Sequence, residues 1–176
     1  MMSKHQRIIF NGNGYSDQWV KEAERRGLPN LVSMVDAIPS LTTEKAEQLY
    51  TRFNIYTRTE LESRTEIMYE TYAKIVRIEA QTMILMATRQ IIPAVENYIA
   101  KLGKAARAKM AVLGNDPTCI RMEKELMTRL STLNTATYDA VAALRQADRE
   151  ATAAGDAHAI AIAFRDKVVP AMAALR

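Results

Sequence analysis

Glycine and proline are scarce in this chain, which has six glycines and five prolines among 176 residues. Runs of β-branched residues are short as well. Alanine, leucine, methionine, glutamate, lysine and arginine dominate instead, and these residue types have high helix propensity. The composition therefore favours a helical protein, and its 48% of apolar residues is enough for a sizeable core.

Cysteine and long apolar runs are also nearly absent. Cys119 is alone, so no internal disulfide can form, as is usual in the reducing cytoplasm. The longest apolar run, residues 83–87, is far shorter than the about 20 residues of a membrane span. The N-terminus carries no signal-peptide pattern. The sequence therefore predicts a soluble, cytoplasmic protein with no membrane partner.

The polar residues form no catalytic pattern. The net charge of +4 is mild and indicates no particular anionic partner. His5 and His158 are far apart and have no metal-ligand partner at a useful spacing. No nucleophile stands beside a base in a recognisable motif. We therefore predict no catalytic, cofactor-binding or metal-binding residue in this chain.

Residues 57–113 predict one very long helix, since they contain one proline and a single late glycine. At 1.5 Å per residue this helix would span roughly 80 Å. Thr57 and Glu60 have the spacing of a capping box at its start. Pro93 should kink the helix near residues 89–92, because it removes a backbone hydrogen bond. Helices of this length usually belong to bundles, spacers or assembly surfaces.

Two later helices carry a heptad pattern, which favours coiled-coil packing. The turns at residues 114–117 and 155–156 separate the three helices, and short turns make neighbouring helices antiparallel. We predict an all-α fold, an elongated antiparallel three-helix bundle that uses the distal half of the long helix, with a second local kink at Pro170. The predicted seam residues are Leu126, Leu130, Leu133, Thr137, Ala140, Leu144, Ala147 and Ala151, then Ala157, Ala161, Phe164, Val168, Ala171 and Leu175.

The first 56 residues differ from the rest and are predicted to form an N-terminal arm with short helices, linked to a bundle of residues 57–176. Residues 7–10 indicate a strand or an extended arm, followed by a tight turn at residues 11–14. Helices are predicted from the Ser16 cap to Gly27, over residues 31–38 with an end at Pro39, and over residues 43–53.

The proximal half of the long helix is apolar nearly all round, which indicates burial on several sides. We predict an interface at Met83, Leu85, Met86 and Ile92. Either the first fifty residues or another subunit should cover it, because exposed contiguous apolar surface usually marks an interface.

Three other features have a functional and a structural interpretation. Residues 12–14 (GNG) could be a phosphate loop, but the third glycine of that fingerprint is replaced by Asp17, so a structural turn is favoured. Glu79, on the apolar helix, is predicted to pair with Arg77 or another nearby residue. The basic residues of segment 101–109 lack interleaved aromatics, so a solvated face is favoured over RNA binding.

Several idiosyncratic stretches resemble one known family. They are residues 8–20 (IIFNGNGYSDQWV), 22–31 (EAERRGLPNL), 35–39 (VDAIP), 78–83 (IEAQTM), 91–95 (IIPAV) and 164–172 (FRDKVVPAM). Together they resemble the region that follows the catalytic core of type III glutamine synthetases, and the resemblance covers nearly the whole chain.

The resemblance implies a role within a larger enzyme. The family makes glutamine from glutamate, ammonia and ATP, uses divalent metal ions such as Mg²⁺ in a catalytic barrel, and assembles as stacked hexameric rings. This chain resembles only the C-terminal helical extension, so no catalytic, nucleotide or metal ligand is carried over. The implied partners are the catalytic domain and neighbouring subunits of a homo-oligomer, without nucleic acid. The doubled Met1-Met2 and the early end suggest an excised fragment.

An independent coiled-coil adaptor is the alternative from another class. It would explain the heptads equally well, but it gives no reason for the Asn-Gly-Asn-Gly segment at residues 11–14. An upstream reading frame that encodes a catalytic barrel would favour the synthetase, whereas a natural start at Met1 would favour the adaptor.

Overall fold

The computed structural model describes residues 5–114 and 116–176, and within these residues the fold is all helical, as predicted. Asn115, in the predicted turn between the long helix and the next one, lies outside the described residues. The α-helices are α1 (Asp17–Arg25), α2 (Met34–Ala37), α3 (Glu44–Arg52), α4 (Arg58–Met86), α5 (Ile92–Leu113), α6 (Arg121–Thr152), α7 (Ala157–Ala163) and α8 (Val169–Leu175). Two π turns, Ala87–Ile91 and Phe164–Val168, and 3₁₀ turns at Gln6–Ile8, Ile38–Thr42 and Pro117–Ile120 complete the chain.

Local capping signals set most helix ends, as predicted. The Ser16 side chain accepts a hydrogen bond from the Trp19 amide at 3.3 Å and begins α1. Gly27 ends it with a φ of +68°, a conformation that favours glycine, and the Leu28 amide then donates to the Ala23 carbonyl at 2.9 Å. This is the glycine-terminated helix end expected from the sequence.

Two N-terminal elements differ from their predicted form. The second helix is Met34–Ala37 rather than residues 31–38. Pro39 does not end the helical path, because it lies in the first turn of a 3₁₀ helix, where no amide hydrogen is needed. Residues 7–10 contain no strand: a 3₁₀ turn leads into an extended residue, and the Phe10 ring stacks on Trp19 with 4.2 Å between ring centres.

The long helix runs without interruption through α4, the first π turn and α5, over 56 residues. Its predicted capping box is present. The Glu60 amide donates to Thr57 Oγ1 at 3.3 Å, and the Thr57 amide donates to Glu60 Oε2 at 2.7 Å.

The structure has a π turn just before each of the two prolines at which a kink was predicted. Pro93 lies just after Ala87–Ile91, and Pro170 just after Phe164–Val168. A proline has no amide hydrogen and its ring crowds the carbonyl group one turn earlier. A wider turn with hydrogen bonds five residues apart accommodates that missing bond inside a continuous helix.

The third helix of the bundle lies beside the proximal half of the long helix, not beside the distal half as predicted. α6 runs antiparallel to the long helix, since Arg77 pairs with Asp148 at 3.3 Å and Lys109 with Glu123 at 2.5 Å. α6 therefore returns toward the start of α4 before the turn at Gly155. The last helix then has to begin beside α4, and α5 packs on α6.

The main core lies where α4, α6 and the last helix meet. Its buried members are Ala73, Val76, Ala80, Leu144, Ala151, Phe164 and Val168. The predicted seam of the last helix faces this core from Phe164 onward, whereas Ala157 and Ala161 pack in a second cluster. The predicted α6 seam is wrong at Leu133, which is 54% exposed, while Asn134 beside it is buried. Asn134 Nδ2 donates a hydrogen bond to Glu96 Oε1 at 2.7 Å, which offsets the cost of burying the amide nitrogen, although Asn134 Oδ1 accepts no hydrogen bond from the described residues.

The N-terminal segment docks on the start of the bundle. Val35 and Ile38 are each 2% exposed and form a second core cluster with Tyr69 and Ala161. Arg165, in the last helix, also donates a hydrogen bond to the Asp36 carboxylate. The segment is thus attached to two helices of the bundle, while the division at residue 57 stays a prediction.

The buried carboxylate of Glu123 predicts an acid-sensitive contact at the far end of the bundle. The hydrogen bond from Lys109 holds the pKa of Glu123 below its ordinary value of 4.5, assisted by the Glu123 backbone amide. Because the pKa is lower in the folded state, the pair stabilises the fold above pH 4.5. This stabilisation is lost as the pH falls through the folded-state pKa.

We expect Glu123→Gln to lower the melting temperature at pH 7, and we expect the difference from the wild type to shrink below pH 4.5. Thermal unfolding followed by circular dichroism at several pH values measures it. Glu125→Gln, at an exposed position two residues away, is the control and should change little at either pH. A Glu123→Gln difference that stays constant with pH would contradict the assignment.

Candidate interface on the long helix

An apolar stripe runs along the solvent side of α4. We define the outer stripe as Ile67, Thr71, Ile75, Ile78, Thr82, Leu85 and Met86. The isoleucines are 52–64% exposed, and Leu85 and Met86 are 48% and 46% exposed. Residues three or four apart share a helix face, so these positions form one band. The band lies opposite the buried face of α4, which carries Ala73, Val76 and Ala80.

The two threonines make the stripe more apolar than their type suggests. The Thr71 hydroxyl donates to the Ile67 carbonyl at 2.7 Å, and the Thr82 hydroxyl donates to the Ile78 carbonyl at 2.8 Å. Such bonds to the preceding turn satisfy the hydroxyl within the helix. A partner surface could therefore cover both side chains without leaving a hydroxyl donor unpaired.

The four residues of the predicted interface divide between two environments. Met83 is half-buried and packs against the main core, and Ile92 is half-buried beyond the π turn. Leu85 and Met86 remain about half exposed. Residues 5–50 do not cover them, because the N-terminal segment docks near Tyr69. The predicted interface on Leu85 and Met86 stays a prediction.

Sequence reasoning missed the rest of the outer stripe. Ile67, Ile75 and Ile78 look like core residues in a helix that is apolar all round. The sequence does contain a signal for the stripe. Ile75, Ile78, Thr82 and Leu85 are spaced 3-4-3, which makes a second apolar seam on the side of α4 opposite the buried face. Two seams on one helix indicate two partners.

Glu79 does not form the predicted ion pair. Its neighbour Arg77 faces α6 and pairs with Asp148, and positions two apart on a helix do not share a face. Glu79 is exposed, and among the residues that the structure describes no basic group lies within 4.0 Å of its carboxylate.

The basic cluster of α5 is also divided. Lys101, Lys104 and Arg107 are exposed, whereas Lys109 faces α6 and pairs with Glu123. The exposed three make a solvated face rather than a groove.

The glycine-containing loop has a structural explanation. The Asn13 side chain accepts a hydrogen bond from the Tyr15 amide at 3.0 Å, which closes a tight turn. A Cβ atom at Gly12 would lie 2.5 Å from the Phe10 ring, so the glycine gives the ring room to stack on Trp19. This geometry favours the structural turn.

One open groove of about 500 Å³ lies between the start of α4 and the turn before α7. Its walls carry mixed charge, including Glu66, Glu70, Lys74 and Asp156. Lys74 and Glu70 neutralise each other at 2.8 Å. In residues 5–114 and 116–176, no three His, Cys, Asp or Glu side chains are grouped as metal ligands would be.

No helix in the described part of the chain combines the length and the apolar character that crossing a bilayer requires.

Comparison with known proteins identifies relatives that are several times longer. The family model for the glutamine synthetase C-terminal domain matches residues 1–110. A glutamine synthetase of Butyrivibrio fibrisolvens is 34% identical over 126 residues, 72% of this chain and 18% of the relative. A type-3 glutamine synthetase of Dictyostelium discoideum is 34% identical over 91 residues, 52% of this chain and 12% of the relative. A glutamine synthetase of Bacteroides fragilis is 28% identical over 95 residues, 54% of this chain and 13% of the relative. The chain thus spans less than a fifth of the length of these relatives.

Proposed function

The chain belongs to the glutamine synthetase C-terminal domain family, and from this premise we propose that it is the non-catalytic helical domain of a type III glutamate–ammonia ligase, where it serves subunit packing. The likeness to a type-3 enzyme supports the subtype. The proposal assigns ATP, Mg²⁺ and glutamate to the remainder of the synthetase. It also assumes a cytoplasmic homo-oligomer without a nucleic-acid or membrane partner.

The outer stripe is the observation that carries the packing role. It is a continuous apolar band on a helix whose opposite face is already buried. Exposed bands of this kind mark interaction surfaces more often than unused surface. Positioning of active-site loops is the second candidate. It is favoured by the docking of Val35 and Ile38, which fixes the N-terminal segment against the bundle.

The test is the mass and activity of the full-length synthetase with and without residues 57–176. We expect the shortened enzyme to lose subunits, so that the mass of the complex falls by far more than the mass removed. A point variant, Ile78→Asp in the full-length enzyme, should act in the same direction. Val112→Asp is the matched control, because Val112 is 84% exposed on α5 and outside the stripe.

Each other outcome has a definite meaning. Unchanged assembly with lost activity would favour loop positioning, and unchanged assembly with full activity would refute both roles. The isolated 176-residue chain should form no glutamine from glutamate, ammonia and ATP, and detection of that reaction would refute the non-catalytic assignment. The coiled-coil adaptor alternative requires a reading frame without an upstream catalytic region.

A further inference from the structure

We propose that the outer stripe of α4 pairs in parallel and in register with the outer stripe of a second copy of this chain, about a two-fold axis along the helices. This inference rests on the proposed role in subunit packing and names the surface that performs it.

The stripe has the residue pattern of a two-stranded coiled coil. With Ile75 and Thr82 at the a positions, Ile78 and Leu85 take the d positions. The β-branched residues at both a positions and Leu85 at one d position match the pattern of two parallel strands, whereas Ile78 at the other d position departs from it. The number and direction of the strands are therefore argued from the flanking charges. In a parallel pair in register, Thr71 faces Thr71 and Thr82 faces Thr82 of the other copy. Each threonine hydroxyl, already hydrogen-bonded within its own helix, then lies beside another threonine and not beside an isoleucine.

Charge complementarity selects the second copy and its direction. In this heptad Lys74 takes position g and Glu79 takes position e. In a parallel pair, position g of one helix lies beside position e of the other, five residues further on. Lys74 of each copy, which pairs with Glu70 on its own helix, therefore also lies within reach of Glu79 of the other copy, and the dimer gains two such contacts. The pairing supplies a basic partner for the exposed carboxylate of Glu79.

An antiparallel pair fits less well. It aligns the apolar residues equally, because Ile75 then faces Ile78 and Thr71 faces Thr82. However, in an antiparallel pair position g of one helix lies beside position g of the other, and e beside e. Lys74 at g and Glu79 at e of the other copy are then on opposite sides of the interface.

Arginines limit the seam at both ends. Arg64 lies on the same face one turn before Ile67, and Arg89 follows Met86. The Arg64 guanidinium lies 4.2 Å from the centre of the Tyr56 ring, drawn back onto its own chain. The outer stripe from Ile67 to Met86 is about 28 Å long at 1.5 Å per residue. One helix face of this length is smaller than a standard interface of about 800 Å² per partner, so we expect weak, reversible pairing.

Disulfide trapping tests the register. In a Cys119→Ser background, we expect Thr71→Cys alone and Thr82→Cys alone each to give a cross-linked dimer under mild oxidation. The control is Thr128→Cys, an exposed threonine on α6, which should remain monomeric. An antiparallel pair would cross-link only in a mixture of the two stripe variants, since their own copies would be about 16 Å apart along the axis. That result, or no cross-link at all, would overturn the proposal.

Charge reversal tests the partner contacts by sedimentation over a wide concentration range. Lys74→Glu and Glu79→Lys should each weaken association, by roughly fivefold for two exposed ion pairs. The double variant should restore it. Two single effects that simply add in the double variant would count against the Lys74–Glu79 contact.

The two proposals can fail separately. If no stripe variant cross-links but removal of residues 57–176 still breaks up the full-length enzyme, packing uses another surface. If the stripe cross-links but the shortened enzyme keeps its mass, the pairing is real and the packing role is wrong.

Discussion

Replacement of Phe164 with alanine is expected to lower the free energy of unfolding by about 3–5 kcal/mol, the usual cost of removing a buried aromatic ring. Phe164 is 1% exposed and lies in the main core between α4 and α6. Its neighbours Ala73 and Val76 have side chains too short to fill the space that the ring would leave. The cavity would therefore persist, and the last helix would lose its largest buried side chain.

Urea unfolding followed by far-ultraviolet circular dichroism measures this change. The matched control is Phe53→Ala, because Phe53 is 63% exposed, and its effect should stay within about 0.5 kcal/mol. Equal losses in the two variants would show that Phe164 does not occupy the core.

Replacement of Ile38 with alanine is expected to weaken the attachment of the N-terminal segment by about 2–5 kcal/mol. Ile38 is 2% exposed and contacts the cluster that contains Tyr69 and Ala161. The main core does not include this residue, so the three-helix bundle should stay folded. Hydrogen exchange should accelerate at residues 34–42 and remain slow at residues 73–80.

Val32→Ala is the control for this experiment, since Val32 is 87% exposed two residues before α2. It should leave both regions unchanged. If Ile38→Ala instead accelerated exchange equally in the bundle, the segment and the bundle would unfold as one unit, and the predicted boundary near residue 57 would be wrong.

Local features of the fold were predictable because they depend on a few neighbouring residues. The Thr57–Glu60 capping box and the end of α1 at Gly27 each follow from one short pattern. The length of the helix capped by Thr57 was predictable because residues 57–113 contain only one proline and one glycine.

Features that depend on which helices meet were not predictable in this way. A heptad shows that a seam exists but does not identify its partner, so the last helix was placed beside the wrong half of the long helix. Leu133 and Asn134 illustrate the same limit: the heptad favoured leucine, but Glu96 on the facing helix supplies the partner that lets asparagine be buried.

The candidate interface was only partly predictable. The apolar pattern of the helix predicts Leu85 and Met86 as interface residues, and it predicts Met83 in the same way although Met83 packs against the main core. Separating the two faces required knowing which one α6 and the last helix cover.

The π turn at Ala87–Ile91 makes the long helix tolerant of a change in length at one place. The seam that faces α6 passes through Ala80 and Ala87 before the turn and through Val95, Ile99 and Leu102 after it. The spacing across the turn is one residue longer than a heptad allows. Deletion of one residue within residues 88–91 would therefore restore an unbroken repeat and keep both halves in phase, at the cost of placing Pro93 in a regular α-helical turn. A deletion inside α5 would instead rotate every later residue by about 100° away from α6. The π turn is therefore the place in the long helix where we expect a one-residue change in length to preserve the packing on α6.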